Sequence, residues 1–335
     1  MIQGLLVLIT AGFFQGTFGL GMKKYTPFSW EAFWALFSVV SMILVPLIWI
    51  SIEIPNFGEY LISTPVEIIL PVVFCGFIWG ITAIGFGKAI DTIGMSLTYG
   101  ISMGSSAAIG SLVPLFMNSS KPTSLFLVFF LLGLCIMLCG VVFLTKAGLV
   151  REQATKKNNT LNRSKFNLGL VIALASGIGS AAQNIGFSYA DYTSKLAIAD
   201  GVSGKSASLL GWLIIFLGGF IANFTYPLFL LFKNHKFSDY KSLGAKVGFF
   251  KVMATGMIWF AALGFYGKAT FLLGNYGTVV GWIGFNALAL IISSIWGLID
   301  HEWQSSIRAK KIMFTGNAIL IISWIVIGLT NYVLS

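Results

Sequence analysis

Ten apolar stretches fill almost the whole chain, over residues 2–22, 31–52, 68–90, 93–115, 124–144, 167–190, 206–232, 247–267, 271–298 and 310–331. A hydrocarbon core of about 30 Å is crossed by ~20 apolar residues in helical form, and each stretch reaches that length. Residues 32–50, AFWALFSVVSMILVPLIWI, carry no charge at all. Lipid offers no partner for backbone N–H and C=O groups, so each span must satisfy its own by forming a helix. The expected fold is an all-α polytopic membrane protein with ten transmembrane helices, its function lying inside the bundle. Charged residues make up only 10% of the sequence, against ~25% in soluble domains. The opening, MIQGLLVLIT, lacks the basic region and cleavage site of a secretory signal, so the first span is expected to remain.

A net charge of +10 would suit a nucleic-acid partner only if the basic residues shared one soluble face. They lie instead in short loops between spans, which excludes that reading and invokes the positive-inside rule. Of the 21 Lys and Arg residues, all but Lys121, Lys195, Lys205 and Lys268 fall in loops on the side opposite the N-terminus. The bias predicts both termini outside, on the periplasmic side of a bacterial inner (plasma) membrane, with the loop at 145–166 in the cytoplasm.

The middle of the chain repeats. GFIWGITAIGFGKA (76–89) and GMIWFAALGFYGKA (256–269) match at an offset of 180 in Gly76/Gly256, Ile78/Ile258, Trp79/Trp259, Gly87/Gly267, Lys88/Lys268 and Ala89/Ala269. Gly94/Gly274 and Gly104/Gly284 continue the register. The repeat pairs the third span with the eighth. Five spans separate the copies, and an odd number inverts the second. Two inverted five-helix repeats form a transporter architecture with the substrate near the midplane. The expected organisation is a first repeat at 1–148, a basic cytoplasmic linker at 149–166 and a second repeat at 167–335.

No span carries a charge near its centre, but several carry amides, hydroxyls and indoles. Amides both donate and accept, and indole rings offer flat apolar faces, a combination that fits a neutral polyhydroxylated ligand. An anionic substrate would call for Arg or Lys at depth. Gln15, Trp79, Tyr99, Gln183, Asn184, Trp259 and Asn286 are the expected substrate contacts. An unmatched amide in hydrocarbon costs several kcal/mol, so the amides serve either a ligand or interhelical bonds. The acids sit at span ends. Glu31 follows Ser29 at a helix start, where a carboxylate meets the helix dipole favourably, and Asp191 ends the polar sixth span. These two are the candidates for a proton-coupling group.

Cys135 and Cys139 stand i,i+4 on one helix face with no His or further Cys beside them, so packing is expected rather than metal binding. No metal or cofactor is expected. Asp300, His301 and Glu302 are contiguous and splay around a helix, which argues against a membrane-embedded enzyme.

FSWEAFWALFSVVSMILVP (28–46), FCGFIWGITAIGFGKAIDTIGMSLTYGISMG (74–104), FNLGLVIALASGIGSAAQN (166–184), WFAALGFYGKA (259–269) and IWGLIDHEW (295–303) together resemble the bacterial L-rhamnose–proton symporter family of the drug/metabolite transporter superfamily. The likeness spans nearly the full length. It implies ten helices in two inverted repeats, outward termini, and uptake of a methyl pentose driven by the proton gradient. The partners are then a small neutral sugar, protons and the lipid bilayer, and a homodimer is compatible with the sequence. An exporter of the same superfamily, or an uptake carrier for glucose or ribose, is the alternative.

Overall fold

The structure is a computed structural model and describes residues 2–23, 25–118, 121–155 and 163–334. Among these residues ten helices are long and apolar enough to cross a bilayer. They are α1 (Ile2–Lys23), α2 (Trp30–Glu53), α3 (Val66–Ile93), α4 (Met95–Met117), α5 (Ser124–Thr155), α6 (Arg163–Tyr189), α7 (Leu210–Lys233), α8 (Ala245–Leu273), α9 (Gly277–Ile299) and α10 (Ile307–Leu334). Odd-numbered helices end at the face that carries the basic loops, here the basic face. Short helices at Phe57–Ser63, Asp191–Ala199 and Gly204–Ala207 lie between spans at the opposite face.

Local chemistry explains the irregular points. Helix α2 contains a π-helical segment, Val40–Leu44, just before Pro46. Proline has no N–H to give the preceding turn and its ring crowds that turn, and the widened turn accommodates both. Helices α3 and α8 each end at a positive-φ glycine, Gly94 (+86°) and Gly274 (+82°). Side chains rarely tolerate that backbone, so glycine is needed at both repeat-related turns. Much of the expected linker at 149–166 is helical, because α5 runs on to Thr155 and α6 starts at Arg163; residues 156–162 lie outside the described residues.

Helix α1 packs against α8 and α9, while α6 packs against α3 and α4. Likewise α2 meets α8 as α7 meets α3, and α4 meets α5 as α9 meets α10. Exchanging each of the first five helices with the helix five places later turns one set into the other. The correspondence reaches single residues. A side chain at Gly4 would meet Leu272 and Leu273, and one at Gly169 would meet Thr92 and Ile93. One at Gly21 would meet Thr255, and one at Gly186 would meet Cys75. Each glycine of α6 stands 165 positions after its counterpart in α1, and the partners on α3 and α8 stand 180 apart. Helices α3 and α7 approach backbone to backbone: a side chain at Gly76 would meet the main chain of Ile215 and Gly219, and one at Gly218 that of Val73 and Phe77. Helices α5 and α10 run along each other at the periphery.

Candidate functional site

A cavity of about 340 Å³ opens inside the bundle. Its walls run from Arg151, Glu302 and Trp303 at the basic face to Gln183, Trp282 and Asn286 just past the middle of their helices. Its deep end is built by aromatic rings. Trp79 of α3 and Trp259 of α8, the repeat-related pair, stack with centroids 5.7 Å apart and planes at 12°. Phe37 of α2 meets Trp259 edge-on at 5.8 Å, and Trp34 lies 5.7 Å from Phe37. Gly219 of α7 leaves room for the Trp79 ring, which a Cβ there would meet at 2.7 Å. Trp34 is held by its Nε1, which donates to Asn223 Oδ1 at 3.1 Å. The indoles thus form a continuous apolar wall.

Amides face that wall. Gln183 of α6 is only 5% exposed and lines the cavity, yet among the described residues its Nε2 has no hydrogen-bond partner. Gln15 of α1 also lines the cavity, with its buried Oε1 unpartnered among the described residues. A buried amide left unpaired costs ~1–3 kcal/mol, a cost that a ligand hydroxyl would remove. Asn286 of α9 lines the same space and donates to its own helix at Trp282 O, 2.8 Å away. Trp282 in turn donates to Ser106 O at 3.1 Å, fixing α9 against α4. Tyr99 lines the cavity nearer the basic face, edge-on to Phe86 at 4.9 Å. Among the described residues the only charged lining groups are Arg151 and Glu302, paired at 2.7 Å near the basic face with the guanidinium 4.8 Å over the Trp303 ring. The deep walls are neutral. They suit hydroxyl edges and apolar C–H faces, not a carboxylate or phosphate.

Three sequence-derived candidates lie away from these walls. Asn184 is fully buried and knots four helices. Its Nδ2 donates to Gly110 O of α4 at 2.7 Å and Thr278 O of α9 at 3.1 Å, and its Oδ1 accepts from Tyr266 of α8 at 2.5 Å. With those bonds made, the amide has little left for a ligand. We expect Asn184→Ala to lower stability by ~1–3 kcal/mol, the cost of leaving buried partners unpaired. A thermal melt of the purified protein checks this, and Tyr266→Phe should give a smaller drop in the same direction. Glu31 is 8% exposed but accepts from Asn234 Nδ2 at 2.8 Å, at the start of α2. Asp191 is exposed at the opposite face, ion-paired to Lys195 at 2.8 Å. Sequence reasoning missed Trp34, Phe37 and the Arg151–Glu302 pair. The i,i+3 spacing of Trp34 and Phe37 was a usable sign of one shared face; the ion pair joins residues 151 positions apart and had no local sign. Among the described residues no three His, Cys, Asp or Glu side chains gather as metal ligands.

Comparison with known proteins places the chain by sequence and by shape. The family described as L-rhamnose-proton symport protein matches residues 1–332. The L-rhamnose-proton symporter of Mannheimia succiniciproducens is 29% identical over 325 residues, covering 92% of each chain. The L-rhamnose-proton symporter of Escherichia coli O17:K52:H18 is 27% identical over 319 residues, covering 92% of this chain and 91% of its own. A protein of known crystal structure superposes with a TM-score of 0.56 over 96% of this chain and 97% of its own, at 11% identity, and so shares the fold.

Proposed function

Because the chain belongs to the L-rhamnose-proton symport family, we propose that it imports L-rhamnose together with protons by alternating access. The observation that carries this reading is the family match from residue 1 to residue 332. It is a multi-pass membrane transporter, not an enzyme. The neutral, indole-walled cavity supports a sugar as cargo. The ring stacks on Trp79 and Trp259, and its hydroxyls bond to Gln15, Gln183, Asn286 and Tyr99. Asn184 holds Gln183, its neighbour in α6, in place. The recurrence of helix contacts supports two inverted repeats, 1–148 and 167–335, which rock about the cavity while α5 and α10 stay outside. The excess of basic residues supports a bacterial inner membrane setting with the basic face in the cytoplasm and both termini in the periplasm. In that orientation the cavity is open inward.

Tracer uptake in membrane vesicles tests the reading. L-Rhamnose should accumulate with a proton gradient, and an uncoupler should abolish accumulation; uptake indifferent to the uncoupler would sink symport. For the proton site, buried Glu31 is better supported than exposed Asp191, because it sits one turn before the cavity-lining Trp34. Glu31→Gln should lose uphill accumulation yet keep sugar exchange across the membrane. Accumulation at the parent level would remove Glu31 from the mechanism.

A further inference from the structure

The residues that line the cavity include no helix end at the opposite face, where a charged pair joins α2 to α8. Glu53, the last residue of α2, and Lys268, near the end of α8, form an ion pair there, their side chains 21% and 19% exposed. The same carboxylate oxygen accepts from Trp49 Nε1 at 2.5 Å, and Ser206, in the connector before α7, stands beside the carboxylate. The ammonium lies 5.3 Å from the Trp49 ring centre, and Trp49 packs edge-on against Phe260 and Phe265 of α8, at 5.6 Å each. Three elements, the end of α2, the end of α8 and the α6–α7 connector, therefore converge on one carboxylate. Beneath them Trp212, Tyr266 and Phe260 are fully buried.

The repeat supplies a contrast. Lys88, 180 positions before Lys268, occupies the equivalent place at the end of α3 on the basic face, and there it is exposed. The same helix end is thus closed and charge-paired on one face, and open on the other.

We propose that Glu53 and Lys268 form the latch that closes the outer face in this state and must part for sugar to enter from outside. The inference rests on the alternating-access reading. Each charge is largely withdrawn from water and held by its partner, so removing either leaves the other without its counter-charge in the closed state. That loss falls on the closed state alone, because both groups are solvated once the helix ends separate. Breaking the pair therefore shifts the population toward the outward-open form. The bond from Trp49 holds the latch to α2, and Ser206 sets it against the connector. Parting it moves α8, which carries Trp259 two to three turns deeper, and so links the outer seal to the sugar's stacking platform.

The test uses the full-length protein with Cys75, Cys135 and Cys139 replaced by serine and a reporter cysteine at Ala83, which lines the cavity. Vesicles of each orientation are treated with a membrane-impermeant maleimide. The parent should label quickly from the basic face and slowly from the other. Glu53→Gln and Lys268→Met should each raise the slow rate by on the order of tenfold, the equivalent of ~1.4 kcal/mol. The double variant should be no faster than the singles, since one interaction has been removed. Glu53→Asp, which keeps the charge but shortens its reach, should be intermediate, and it stands in if the neutral variant does not melt cooperatively. Unchanged labelling in the folded variants, or single effects that multiply in the double, would overturn the latch. No sugar is needed for labelling. A failure of rhamnose uptake would thus sink the functional reading and leave this result standing on its own.

Discussion

Gln183→Leu should abolish most rhamnose uptake while leaving the protein as stable as before, or more so. The two effects have one cause. Gln183 is 5% exposed, and its Nε2 has no partner among the described residues. Replacing an unsatisfied buried amide with an apolar group of similar size removes a desolvation cost, so the melting temperature should hold or rise. The hydrogen bonds that this amide offers a sugar hydroxyl are lost at the same time. A site built to bond a hydroxyl loses on the order of 1–3 kcal/mol when that bond goes, or roughly a tenfold to hundredfold loss of affinity. Transport assays and thermal melts on the same preparation make the comparison. A variant that loses stability and transport together would show Gln183 to be a packing residue like Asn184. A variant that transports normally would remove it from the site.

The largest structural effect is expected at the contact between α3 and α7. A Cβ at Gly76 would overlap the carbonyl oxygen of Ile215, and one at Gly218 would overlap that of Val73. Both obstacles are backbone, which cannot swing aside as a flexible side chain can. Gly76→Val therefore forces the helices apart along an interface that also seats Trp79, through Gly219. Losing that packing should cost ~3 kcal/mol or more, the range for severe disruption of a close-packed core, and folded protein should largely disappear from size-exclusion profiles. Gly87 on the same helix has nothing within 4 Å of its added Cβ. Gly87→Ala should be neutral or stabilise by up to ~1 kcal/mol through helix propensity. If Gly76→Val and Gly87→Ala behave alike, the close approach of α3 and α7 is not what holds these halves together.

Much of the fold was legible in the sequence because a bilayer leaves a long apolar segment only one form. The ten runs correspond to ten helices, and the Gly94/Gly274 match recurs as two turns of the same rare backbone conformation. The Trp79/Trp259 match proved more informative than its spacing implied, since the two rings stack on each other. The site was legible only as an inventory. Gln15, Trp79, Tyr99, Gln183, Trp259 and Asn286 do share one cavity, but Glu31 and Asp191 stand apart from it, and Trp34 entered unannounced.

Gln183 and Asn184 show where the boundary falls. Sequence alone determined that two amides lie deep in an apolar helix and that each needs a partner, because hydrocarbon supplies none. It could not assign the partners. Consecutive residues point about 100° apart around a helix, so the two amides look toward different neighbours, and the sequence does not say which. Tertiary packing made the choice: α4, α8 and α9 close around Asn184 and use its hydrogen bonds, while Gln183 is turned to the cavity with its Nε2 unpaired among the described residues.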